Sequence, residues 1–155
     1  MEDASGLSVL LALAEAFTKR EQPLERGLFF LASSGHFHGG IGCRTFVEKH
    51  RGGLLENIVA AFGVEHIGEE AETDGMGGYR RTGRPETRAL FMEKTPELLR
   101  VMEEEVHNVE LERTLAVDAY LFGPEPPCDS APFFTAGIPS VCHISGPLYL
   151  FDPHD

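Results

Sequence analysis

Seven histidines and twenty-five acidic residues supply most of the reactive groups in this 155-residue chain. Two of the histidines form a His-x-His pair, His36 and His38, inside the glycine-rich stretch Ser33-Ser34-Gly35-His36-Phe37-His38-Gly39-Gly40. Another carboxylate and imidazole stand side by side at Glu65-His66, and His143 lies within a late apolar run. Imidazoles with carboxylates are the ligand set that suits zinc, and three of them plus a water make a catalytic site. The chemistry therefore turns on whether the chain can carry His36, His38, Glu65 and His66 to one place. Each also has a plainer reading, as a loop histidine bonded to backbone or as Glu65 paired to an arginine such as Arg44.

Positioning falls to the elements that precede these groups. Gly27 to Ala32 is an apolar run that reads as a strand buried on both faces and feeding the histidine loop. Asn57 to Val64 reads as a second buried strand that delivers Glu65-His66. Thr87–Met92, a segment within Leu115–Leu121, and Ser140–Ile144 complete the expected strands. Between them, helices are expected from Asp3 or Ser5 to Lys19-Arg20, over Ile41–His50, from Pro96 to His107, and briefly within Asp129–Ala136. Glu69 to Pro85, with four glycines and mixed charge, reads as a long loop. Strand and helix alternate, so the expected architecture is α/β, three layers around a mostly parallel sheet. In such sheets ligands sit beyond the carboxyl ends of the strands, where His36, His38, Glu65, His66 and His143 would converge, with Glu2 and Asp3 within reach.

Composition narrows the partners. The formal net charge of -12 argues against nucleic acid and against an anionic membrane surface, and is equally compatible with a plain soluble surface; a peptide or small-molecule ligand is a separate expectation. No apolar run is long enough to span a bilayer, and the acidic Met1-Glu2-Asp3 start is unlike a signal peptide, so a cytoplasmic location is the default expectation. Cys43, Cys128 and Cys142 show no CxxC spacing and read as small buried or half-buried thiols. Ser33-Ser34-Gly35 lacks a nucleophile elbow, and Gly75-Met76-Gly77-Gly78 lacks a phosphate-loop lysine.

The order of these segments resembles the zinc aminopeptidases of the aminopeptidase S and aminopeptidase Y type, a family that includes glutamate carboxypeptidases and the transferrin receptor ectodomain. Glu2-Asp3-Ala4-Ser5-Gly6 stands where that family has an aspartate and an N-A-S-G turn. Ser34-Gly35-His36-Phe37-His38-Gly39 takes the place of G-E-E-x-G, and Gly63-Val64-Glu65-His66-Ile67-Gly68 that of N-L-D-M-I-G. Cys128-Asp129-Ser130-Ala131-Pro132-Phe133 corresponds to S-D-H-x-P-F, and Gly137-Ile138-Pro139 agrees outright.

The resemblance implies a single zinc-peptidase-like domain, peptide-bond hydrolysis, and two zinc ions held by two histidines, two aspartates and a glutamate. It also implies a second glutamate as general base, while Asp129, Ser130 and His143 are the residues expected to bind substrate. The departures are specific. The base falls on His36, its neighbouring glutamate ligand on Phe37, one aspartate ligand on Glu65 and the bridging aspartate on Glu2. The last histidine ligand falls near Phe151, and the first lies upstream of the turn. Two expectations follow: family activity lost with the dinuclear site, or a single-metal site rebuilt from His36, His38, Glu65 and His66 with His36 or Glu65 activating water. Strands preceding the turn are missing relative to the family, which leads to the expectation of a homodimer or of a part of a larger chain.

Overall fold

The computed structural model describes residues 3–93, 95–109, 111 and 113–145. Helix α1 spans Ala4–Thr18 and is capped as expected, with Asp3 Oδ1 accepting from the Gly6 N–H at 3.0 Å. A single 3₁₀ turn, His36–His38, precedes α2, Ile41–His50, and another covers Leu54–Asn57. Then come β1 (Ala61–Glu65), β2 (Glu69–Thr73), β3 (Tyr79–Pro85) and β4 (Arg88–Met92). Helix α3 (Pro96–Asn108), β5 (Thr114–Asp118), α4 (Ala131–Thr135) and β6 (Ser140–Ser145) follow.

The main sheet has the order β1-β6-β4-β5. β1 runs parallel to β6, and β4 parallel to β5, while β4 and β6 are antiparallel. Two of its three pairings are thus parallel, and helices pack on both faces. On one face, Leu98, Leu99, Met102 and Val106 of α3 lie against Leu90, Met92 and Val141. On the other, Phe134 of α4 joins Ala89, Phe91, Val117, Ala119 and Cys142, and Phe133 bridges to Cys43 and Val47 of α2. The α/β layering is the expected one. No helix among the described residues is long and apolar enough to cross a membrane.

Three expectations need correction. Residues 27–32 form no strand: Leu28, Phe29 and Phe30 are 50%, 60% and 37% exposed, and the run meets the α2 side of the core through Leu31 and through Phe29 beside Phe46. No described strand pairs with this run, so its backbone has no ladder to join, whatever its side chains prefer. The second expected strand is shorter and starts later, so Glu65 is its last residue. Residues 69–85 are a β-hairpin instead of a loop, β2 pairing antiparallel to β3. Asp74 organises its turn, with Oδ1 accepting from the Met76 and Gly78 N–H groups at 2.8 and 2.9 Å. Ion pairs link the two strands, Glu72 to Arg80, Glu69 to Arg81 and Glu70 to Arg84.

Helix α1 differs in detail. Leu10, Ala14 and Phe17 are half-buried, but Leu7 and Leu11, expected to point inward, are 46% and 64% exposed. Its close contact with the sheet is at Gly6, where a Cβ would stand 2.3 Å from the Val64 carbonyl oxygen.

Candidate functional site

The site forms at the carboxyl end of β1. Glu65 ends that strand almost fully buried, and its Oε1 accepts the Asp129 N–H at 2.6 Å. Its other oxygen, Oε2, is buried with no hydrogen-bond partner among the described residues. Burial pushes the Glu65 carboxyl above its ordinary pKa, as does the Asp129 charge, against the opposing pull of the Asp129 N–H, His36 and His66. Asp129 in turn sets His36: its Oδ1 lies 2.9 Å from His36 Nδ1.

Local backbone explains how His36 gets there. The 3₁₀ turn carrying it is bracketed by Gly35 at φ 84° and Gly39 at φ 70°, a conformation that favours glycine. Gly40 follows at φ 64°, and a Cβ there would stand 3.3 Å from Asp129 Oδ1. Glycine at position 40 therefore lets the turn close over Asp129 without strain or crowding. His66 is one of two described non-glycine residues at positive φ (48°), and its ring centroid is 6.2 Å from that of His36. Asp3 lies close enough to act on His66 electrostatically, and the neighbouring Ser5 Oγ accepts the Ile67 N–H at 3.0 Å. A cleft of about 180 Å³ opens beside these groups, lined by His36, Cys128 and Asp129 and flanked by the Arg44–Glu125 ion pair.

The structure brings His36, Glu65, His66 and Asp129 together at one edge. His38 is solvent-exposed. Ser130 is buried beneath the edge and not in the cleft, packed so tightly on β1 that a Cβ at Gly63 would lie 2.4 Å from its Oγ. His143 alternates with Cys142, which packs on the α4 face, so its ring points to the opposite face of the sheet. There, burial and the Arg88 charge lower its pKa. Glu2 lies outside the described residues, as do Phe151 and Asp155.

Sequence reasoning passed over one group. The ligand atoms of Glu65, Cys128 and Cys142 all lie within 4.8 Å of one another. Cys142 is fully buried, Cys128 is half-buried, and all the described thiols are free. Hydrogen bonding with Cys128, together with burial, pushes the Cys142 thiol well above its ordinary pKa. The three residues come from β1, the segment before α4, and β6, so no local spacing announces them.

A three-layer α/β domain with carboxylates and imidazoles gathered at the carboxyl end of a strand has the layout of a ligand site. The profile of Peptidase family M28 matches residues 1–147, and the chain belongs to that family. The family is one of zinc-dependent peptidases, among them aminopeptidases S and Y and glutamate carboxypeptidase, and it also includes the transferrin receptor. No curated protein and no solved structure matches the chain. The family's zinc pair does not fit the residues described. Phe37, which stands where the family has a glutamate ligand, offers no donor atom and is 79% exposed. Among the described residues, the one trio of donors within ligand distance is Glu65, Cys128 and Cys142.

Proposed function

We propose that this chain is a peptidase-family domain in which two-zinc aminopeptidase chemistry has been lost, leaving an acidic edge that holds a peptide or small-molecule ligand. The observation that carries this reading is the pair at positions 36 and 37. His36, where the family has its general base, is hydrogen-bonded to Asp129, and Phe37, where a glutamate ligand belongs, projects into solvent. Loss of a base together with a ligand ordinarily removes several orders of magnitude of rate. Asp3, Glu65 and Asp129 remain at the edge, and their charge suits a ligand with an amino group.

The test is hydrolysis of aminoacyl-p-nitroanilides by the protein equilibrated with zinc or cobalt. Turnover no greater than that of His36→Ala is the expected result. Metal-dependent turnover abolished by that substitution would overturn the proposal.

A second reading, a rebuilt single-metal hydrolase, is favoured by the 6.2 Å separation of the His36 and His66 rings beside Glu65. In it His36 and Glu65 would hold a proton or a metal next to the bound ligand. It requires hydrolysis that falls in both His36→Ala and His66→Ala, with CD spectra unchanged.

A further inference from the structure

We propose that Glu65, Cys128 and Cys142 form a binding site for a thiophilic divalent cation of the zinc class, separate from the His36–His66 edge in its sulfur ligands and sharing only Glu65 with it. The inference is independent of whether the domain hydrolyses peptides.

Three observations carry it. The donor atoms lie within 4.8 Å of one another. A tetrahedral zinc with thiolate ligands holds its donors ~3.8 Å apart, so shifts of about 1 Å would close the trio on a cation. Glu65 Oε2 is buried without a hydrogen-bond partner among the described residues, and an unpaired carboxylate oxygen at such depth is costly unless something positive or protic meets it. The surroundings are also built to hold these side chains. Glu65 Oε1 is fixed by the Asp129 N–H at 2.6 Å, Ser130 Oγ lies 3.2 Å from Cys128 Sγ, and Gly63 leaves the room that lets Ser130 sit there. Fixed outer partners of this kind orient metal ligands.

The chemistry is that of a mixed sulfur–oxygen zinc site. Two thiols and one carboxylate supply three ligands, each thiol passes its proton to solvent as the metal binds, and a water completes the set. Cys128 lines the 180 Å³ cleft, which gives the cation a way in. Because the ligands come from β1, β6 and the segment leading into α4, a bound cation would clamp that segment to the sheet.

The experiment adds cobalt(II), a spectroscopic stand-in for zinc, to the reduced, metal-free 155-residue chain. Sulfur-to-cobalt charge-transfer absorption in the near ultraviolet should saturate at a single equivalent. It should be lost in Cys128→Ser and retained in Cys43→Ser and His36→Ala. Zinc at a hundredfold excess over its dissociation constant should raise the melting temperature by on the order of 5 °C. The unmodified protein carries the primary reading, so a misfolded cysteine variant does not blur it. No charge-transfer absorption in the reduced protein would overturn the proposal. So would absorption that survives Cys128→Ser, or a metal that binds without sulfur absorption and is lost with His36→Ala.

Discussion

Two short apolar runs of this chain, residues 27–32 and β4, have similar sequences and opposite fates. Gly27-Leu28-Phe29-Phe30-Leu31-Ala32 is if anything the more apolar, yet Leu28 and Phe29 are at least half exposed and no strand forms. Ala89, Leu90, Phe91 and Met92 are 0–3% exposed in a regular strand. The difference is in the neighbours. β4 lies between β6 and β5, with α3 on one face and α4 on the other. The 27–32 run touches the core through Leu31, and through Phe29 stacked 5.4 Å from Phe46. Strand propensity is largely fit to a pleated, covered surface, and it does not create that surface. β1 stands between the two cases, paired on one side and with Phe62 54% exposed.

Four substitutions sharpen or break that contrast. Leu90→Ala, 1% exposed and covered by α3, should cost about 2–5 kcal/mol, read as a fall in the urea midpoint with an unchanged slope. On the intermediate strand, Gly63→Ala drives a methyl into Ser130 and should cost ~1–3 kcal/mol by the same measurement. It should also loosen the Asp129 contact with Glu65, visible as faster amide exchange at Asp129.

Asp3→Ala, at the cap of the helix packed beside β1, should cost about 0.5–2 kcal/mol at neutral pH. Burial works against the Asp3 carboxylate, but hydrogen bonds from the Gly6 N–H and the Ser5 hydroxyl, with His66 nearby, hold its pKa below the usual 3.8. A carboxylate lowered in the fold stabilises above its unfolded pKa and loses that contribution as pH falls through the folded one. The gap between Asp3→Ala and the parent should therefore close in strongly acidic solution. Smallest of all, Leu28→Ser should change stability by no more than about 0.5 kcal/mol. If it rivals Leu90→Ala, the 27–32 run is packed in solution and the contrast fails.

The same contrast marks what could be read from the sequence. Helices α1, α2 and α3 were legible because their signals are local: Asp3 and Thr95-Pro96 at the starts, and apolar residues at helical spacing. β4 and β6 were legible as apolar runs. The 27–32 run was misread because no pattern within it says what lies alongside. The β2–β3 hairpin was missed because charges occupy both faces, and its partner strand alone shows that Glu72 meets Arg80. The place of Glu65 and His66 was legible from the end of β1, whereas His36 joins them on a 3₁₀ turn with no strand before it. The trio with Cys128 and Cys142 was not, since three distant segments form it and no spacing rule applies.

The place of β6 has a consequence for synthesis and folding. β1 meets β4 and β5 only through β6, and its partner residues Ala61 and Ser140 are about eighty positions apart in the chain. Everything up to β5 can leave the ribosome while the sheet is still two unjoined pieces. Pairings between such distant residues close slowly, because the long intervening loop must be ordered first. The nascent domain would carry β1 and β4 with open edges until its central strand arrives, an interval in which a chaperone has the most to cover.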